Sequence, residues 1–248
     1  MARRRPQAYE PPPNEDRLLA TPKKRAPRLS RSDRRTQILA AAVKFFSEEG
    51  FNGSTHNFAK KIGITQPLIY RYFESKDELI REVYNAVFEG RWKSEWEVTL
   101  RDRTKSITAR LFEFYILYTD VVFARDWMRI YLFSGLRELD INRWWSSFVE
   151  SRILATICDE LRNESGADTV LVRAPTPQEM ELMWSFQGSL FYYAMRRDVY
   201  RSRVHMDFRS FLLLAINVLV NSFPMVNEIG RNDNRSQRHL TLNLNAND

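Results

Sequence analysis

The sequence predicts an all-α fold, a small N-terminal domain of three helices followed by a larger helical one. Two observations carry this. Glycine is scarce, with 8 among 248 residues, which argues against a sandwich built on tight turns. Long stretches between 32 and 223 lack Gly and Pro and repeat apolar residues every three or four positions, the period of a half-buried helix.

The first helix spans about Ser32 to Glu49, with Ser32 as the expected N-cap and Ile38, Ala42, Phe45 and Phe46 as its apolar stripe. Gly50 ends it. A second helix runs from Thr55, read as its N-cap, to Ile62, and Gly63 supplies a tight turn. A third opens after Thr65, with Pro67 tolerated in its first turn, and ends near Tyr72. A fourth opens at Ser75-Lys76-Asp77-Glu78, where Ser75 and Glu78 have capping-box spacing. Beyond it, five or so helices are expected over about 104–123, 125–134, 140–164, 177–198 and 205–223. Thr176-Pro177-Gln178-Glu179 combines an N-cap, an N1 proline and an N3 glutamate at the start of the fourth of these. The resulting division is a disordered basic arm (1–30), a small helical domain (31–78), a larger helical domain (79–226) and a disordered polar tail (227–248), in which Leu240, Leu242 and Leu244 could alternate as a weak strand.

Charge is distributed unevenly. Residues 1–80 carry 16 basic and 9 acidic side chains, whereas residues 81–248 carry 22 of each. The excess in the first third points to a polyanionic partner there, nucleic acid or an anionic surface. Most of it lies in residues 1–31, so the arm would add affinity and salt dependence more than specificity. The one cysteine, Cys158, permits no internal disulfide and fits a reducing cytoplasm. The N-terminus lacks the apolar region of a secretory signal, and the longest apolar run, Phe211 to Val220, is too short to span a membrane.

Two short helices joined by a glycine turn form a helix-turn-helix, whose second helix meets base edges in the major groove with its N-terminal end. Gln66 suits a bidentate pair with adenine, and Pro67 suits a thymine methyl. Tyr70 and Tyr72 can reach phosphates with their hydroxyls, with a core position the lesser alternative for Tyr70. Arg71 and Lys76 neutralise phosphate, and Lys76 lies at a helix N-terminus that favours anions.

The spaced set Ile38-Leu39-Ala41-Ala42, Phe46, Gly50-Phe51, Ala59, Gly63-Ile64-Thr65, Leu68, Tyr70, Phe73 and Ser75-Lys76-Asp77-Glu78-Leu79 resembles the DNA-binding domain of the TetR family of bacterial transcriptional regulators over roughly residues 34–80. That resemblance implies an all-helical homodimer, joined through its last two helices, that releases a double-stranded DNA operator when a small ligand enters the C-terminal domain. It places DNA contacts on Thr55, His56, Thr65, Gln66, Pro67, Tyr70, Arg71, Tyr72 and Lys76. The loop Asn52–Ser54 is one residue shorter than the family's usual loop, and His56 stands where arginine or another polar residue is common.

The helices at 177–198 and 205–223 are apolar over more than one face, as a helix buried on both sides should be. One side would face its own core and the other a second protomer, with Ser185, Gly188 and Ser189 allowing close approach. A buried central helix in a monomer would read the same way. The intervening region is dense in aromatic residues with polar tips, which line ligand pockets and also fill ordinary cores. Tyr115, Trp127, Tyr131, Trp144 and Trp184 are the candidate lining set, and the absence of a charged cluster among the stripes favours an aromatic or hydrophobic effector. No catalytic arrangement is visible. His56, His205 and His239 have no metal-ligand spacing, Cys158 has no neighbouring histidine, and there is no glycine-rich phosphate loop. No cofactor and no enzyme activity are expected.

Overall fold

A computed structural model describes residues 30–164 and 173–244, with side chains through Val226. The basic arm, apart from Ser30, and the loop around Gly166 lie outside the described residues. Every regular element within them is a helix: α1 Arg31–Glu49, α2 Thr55–Lys61, α3 Gln66–Tyr70, α4 Lys76–Val87, α5 Glu95–Arg101, α6 Ile107–Val122, α7 Arg125–Gly135, α8 Ile141–Val149, α9 Ala155–Glu164, α10 Pro177–Ala194 and α11 Phe208–Leu244.

The caps explain where the helices begin. Ser30, not Ser32, caps α1, its hydroxyl accepting the N–H of Asp33 at 3.0 Å. Asp33 is thereby set in the first turn, where an acidic group complements the helix dipole. Ser54, not Thr55, caps α2 by accepting the N–H of Asn57 at 3.1 Å. Thr55 falls one position inside and turns its hydroxyl elsewhere. Thr65 does occupy the N-cap of α3, without a side-chain capping bond. Ser75 caps α4 through the N–H of Glu78 at 3.0 Å, and the Glu78 carboxylate accepts the N–H of Glu74. At α10 the capping box is complete, with Thr176 and Glu179 each accepting the other's backbone N–H. Gly50 and Gly63 both have positive φ, at 69° and 70°, a conformation that L side chains disfavour.

The predicted helix over 140–164 forms as one rod, α8 and α9 joined by a π-helical turn at Glu150–Leu154. Another π turn, Met195–Val199, ends α10. Such turns insert a residue into the helical ladder and re-aim the side chains around it. Helix α5 was not expected. At seven residues, with Trp96 and Leu100 as its buried pair, it is too short to show a period. The last helix also differs from expectation, since it continues through 227–244 where a disordered tail or weak strand was anticipated. No proline follows Pro224, and a helix already nucleated gains one hydrogen bond for each residue added.

A single apolar cluster runs through both domains, from Ile38 on α1 to Phe223 on α11. Helix α11 contributes Leu212, Ile216, Leu219 and Phe223, one stripe at helical spacing that packs towards α6 and α10. Its segment Phe208–Val226 is long and apolar enough to cross a membrane, longer than the run recognised in the sequence. The buried stripe accounts for one side of that apolar character. Leu213, Leu214, Val218 and Met225 are exposed.

Candidate nucleic-acid interface and regulatory cavity

The helix-turn-helix holds together through one hydroxyl. Thr55 is 6% exposed. Its Oγ1 accepts from Gln66 Nε2 at 2.7 Å and shares a hydrogen bond with the Tyr70 hydroxyl at 3.0 Å. This link joins the start of α2 to both ends of α3. Gln66 commits only one of its two amide hydrogens, so the other hydrogen and Oε1 keep the bidentate pattern that an adenine edge requires. Thr55 is thus buried, with its hydroxyl engaged by Gln66 and Tyr70. His56, Thr65, Pro67, Tyr70 and Arg71 are exposed. Tyr72 is half-buried against the core. Lys76 is half-buried and its Nζ reaches the Gly53 carbonyl at 3.4 Å, so the short loop before α2 and the start of α4 meet at that amine. Phe58, 1% exposed, fills the domain core among Phe45 and Phe46.

In the larger domain, a cavity of about 220 Å³ lies among α6, α7, α8 and α10. Tyr118, Thr119, Val122 and Phe123 line it from α6 and the residue after it. Trp127 and Tyr131 come from α7, Trp145 and Val149 from α8, and Trp184, Gln187, Gly188, Leu190 and Phe191 from α10. No lining residue is charged. Of the five aromatics expected there, Trp127, Tyr131 and Trp184 are in the wall and two are not. Tyr115 is fully buried beside it, packed edge-on against Phe114, Tyr118 and Phe186, with its hydroxyl donating to Gln187 Oε1 at 3.2 Å. Trp144 faces the DNA-binding side instead, against Tyr84 with the Arg81 guanidinium 4.0 Å over its ring. One residue along a helix is a turn of about 100°, which brings Trp145 into the wall and takes Trp144 out.

The polar groups of the wall form a short chain. Gln187 Nε2 donates to the Tyr118 hydroxyl at 3.0 Å while its Oε1 receives Tyr115. Burial pushes the Tyr115 and Tyr118 phenols up, so both stay neutral. Trp184 Nε1 donates to Glu150 at 2.9 Å, at the first residue of the π turn. Burial pushes the Cys158 thiol up to about 12, which leaves it a protonated core group and a poor nucleophile. Among the described residues, no group of three or more His, Cys, Asp and Glu could hold a metal.

Residues 38–83 match the bacterial regulatory proteins of the tetR family. The matched segment is the helix-turn-helix with most of α1 before it and the start of α4 after it. One relative is the HTH-type transcriptional activator FasR of Mycolicibacterium smegmatis, 31% identical over 97 residues, which cover 37% of this chain and 44% of that protein. The match thus spans less than half of the relative's length. Two crystal structures share the fold. A TetR-family transcriptional regulator from Mesorhizobium loti aligns over 80% of this chain and 98% of its own, with a TM-score of 0.50 and 15% identity. Another from Streptomyces coelicolor aligns over 79% and 83%, with a TM-score of 0.51 and 18% identity.

The end of α4 reaches the cavity wall. Phe88, directly after α4, is 1% exposed, with its ring centroid 4.8 Å from Trp127, 5.6 Å from Trp145 and 6.4 Å from Tyr131. Helix α7 makes a second junction from its opposite face. Arg129 donates to the Ser47 and Glu48 carbonyls at the end of α1, and the Phe133 ring lies 3.1 Å from where a Gly50 Cβ would stand. Arg91 then ties the turn after α4 to the start of α7 through both carboxylate oxygens of Asp126, at 3.2 and 2.5 Å. Sequence reasoning missed Phe88 and Arg129. Each lies outside a motif and acts on a residue at least 35 positions away.

Proposed function

We propose that this protein is a homodimeric, ligand-responsive repressor acting in the cytoplasm. It holds a palindromic duplex operator through Gln66 and Pro67 at base edges and through Tyr70, Arg71, Tyr72 and Lys76 at the backbone. His56 and Thr65, exposed beside them, border the groove. A small hydrophobic molecule in the aromatic cavity favours a state whose two recognition helices are wrongly spaced for the operator. The observation that carries this reading is Phe88, because the helix that bears the DNA-binding domain ends on three residues of the cavity wall. A ligand shifts such an equilibrium only by its difference in affinity for the two states, and a wall shared with α4 supplies that difference.

The exposed apolar face of α10 and α11, with Tyr192, Leu214, Val218 and Met225, supports a two-fold dimer. Such a dimer suits a palindrome, since its recognition helices meet successive turns of the major groove. Selection of genomic fragments by the purified protein tests the reading. Recovered sites should be palindromic, and Gln66→Ala should flatten base preference at one position of each half-site, a change of about 1–3 kcal/mol in discrimination. Non-palindromic recovery would remove the dimeric reading, and unchanged preference in the variant would remove Gln66 from base readout. A second reading, transcriptional activation, is favoured by the name of the M. smegmatis relative. Promoter activity in a deletion strain separates the two, rising for a repressor and falling for an activator.

A further inference from the structure

A second, larger concavity of about 1160 Å³ lies between α7 and the π turn that ends α10. It has only Phe123 and Tyr131 in common with the aromatic cavity, and its wall differs in charge. Arg125, Arg129, Arg197 and Arg201 line it against one acid, Asp198, so four positive charges less one negative leave it at +3. Residues 81–248 as a whole are balanced, with 22 basic and 22 acidic side chains. Asp198 is taken by Arg197, which donates to both of its carboxylate oxygens at 2.7 Å. Arg129 donates to the Ser47 and Glu48 carbonyls, which are uncharged and leave its charge uncompensated. Arg125 and Arg201 are exposed, and their guanidinium groups have no hydrogen-bond or ion-pair partner among the described residues. Apolar surface stands beside these charges. The Arg129 guanidinium lies 4.9 Å over the Phe133 ring, and Leu136 and Tyr200, also in the wall, are 81% and 59% exposed.

From this we infer that the groove is a second ligand site, for a small organic anion with a flat, apolar body. Charge complementarity selects the sign of the ligand, because like charges lining one concavity focus a positive potential on it. Guanidinium groups pair with the oxygens of sulfonate, phosphate and carboxylate groups. The aromatic and aliphatic surface beside them selects the body. A bare inorganic anion meets the charge but leaves Leu136 and Tyr200 in water. An uncharged aromatic molecule covers those two and leaves the guanidinium groups unmatched. The wall of the aromatic cavity holds no charged residue, so a buried anion there would meet a large desolvation cost, and the two sites differ in the ligands they accept. The inference goes beyond the effector reading of the cavity and does not rest on it.

Fluorescence titration of the full-length protein with 8-anilinonaphthalene-1-sulfonate and N-phenyl-1-naphthylamine separates these terms, since the two probes share a ring skeleton and differ in the sulfonate. Inorganic phosphate, added as a competitor, tests charge alone. The sulfonate should bind about tenfold more tightly than the uncharged probe, a ratio typical of one charge-assisted hydrogen bond. Its affinity should fall as ionic strength rises. Replacing both exposed arginines, Arg125→Ala with Arg201→Ala, should weaken the sulfonate about tenfold and leave the uncharged probe unchanged. Arg125→Lys with Arg201→Lys keeps the charge and should retain affinity within about threefold. Methionine methyl spectra of the unmutated protein locate the site without a variant. Met128 and Met195 line the groove, whereas Met183 and Met225 line neither concavity. The first two signals should move with the sulfonate and the other two should not. Equal affinity for the two probes, sulfonate binding that survives the alanine changes, phosphate that binds as tightly as the sulfonate, or unmoved Met128 and Met195 signals would each overturn the inference.

Discussion

Thr55 does at the residue scale what no local pattern announces. Its hydroxyl holds Gln66 and Tyr70 from opposite ends of a helix only five residues long. So short a helix gains little rigidity from its own hydrogen bonds, and a side-chain clamp fixes the two groups proposed to face DNA. Thr55→Val removes the oxygen with little change of shape. Because both released partners lie near solvent, stability should change by no more than about 1 kcal/mol. Operator affinity, read by fluorescence anisotropy, should fall about tenfold. Full affinity in the valine variant would show that the clamp does not position the base reader.

Glu160 has the opposite kind of role. It is buried at the centre of an ionic cluster, 2.5 Å from Arg110 and 3.0 Å from Arg103, and Arg110 also donates to the Leu100 carbonyl at 2.7 Å. Burial pushes the Glu160 carboxyl up, but hydrogen bonds and charge from Arg103 and Arg110 outweigh it and hold the group below the usual carboxylate range. The stability linked to this shift is therefore fully present above the unfolded value of about 4.3 and is lost as pH falls through the lower folded value. Glu160→Gln leaves the buried Arg110 with only the exposed Glu164 carboxylate, 3.5 Å away, as counter-charge. It should cost about 3 kcal/mol at neutral pH and lose less further stability on acidification than the parent, as thermal melts across pH 3–7 would register.

At the scale of elements, α7 explains how two sites share one wall. Trp127 and Tyr131 are four residues apart and line the cavity. Arg129 and Phe133 are also four apart, offset by two, and this offset carries them to the other face of the helix, where they meet the end of α1. Helix α4 closes the circuit through Phe88 and the Arg91–Asp126 pair. Two packed junctions on one short helix are the contacts through which the proposed coupling would run. Phe88→Leu keeps an apolar group in place and removes the ring that touches Trp127, Trp145 and Tyr131. Operator affinity without effector should stay within about twofold, whereas the factor by which a cavity ligand weakens DNA binding should shrink by about fivefold. A titration of operator against effector in both proteins makes the comparison, and an unchanged factor would rule Phe88 out of the coupling.

Over the whole molecule, α11 faces two ways. Leu212, Ile216, Leu219 and Phe223 enter the core, while Leu214 and Val218, 51% and 58% exposed, stand on the other side with Met225 in the same register. An apolar stripe of this length on a helix otherwise committed to the core marks a surface for association. Val218→Glu puts a charge in the middle of it without touching the core. Sedimentation should show the dimer dissociation constant raised by about a hundredfold or more, with loss of palindrome binding and an unchanged melting profile for the monomer. An intact dimer in this variant would move the interface elsewhere.

The sequence by itself determined the helical class, the helix-turn-helix and the two-sided character of the last helices. All three rest on signals confined to one element, namely period, caps and a glycine turn, which act over four residues or fewer. The complete capping box at Thr176 and the helix over 141–164 were legible for that reason, whereas the proposed cavity aromatics rested on their place in the middle helices, and three of the five line the cavity. What only the tertiary structure decided was the facing of side chains between elements. Ser30 and Ser54 took the caps from Ser32 and Thr55, Trp145 took the wall from Trp144, Tyr115 stood behind the wall, and Phe88 joined the DNA-binding helix to the cavity. The last three depend on the angle at which one helix packs on another, whereas the two caps rest on hydrogen bonds spanning three residues. A rotation of a single residue, about 100°, exchanges buried for exposed, and no periodicity within one helix records where its neighbour lies.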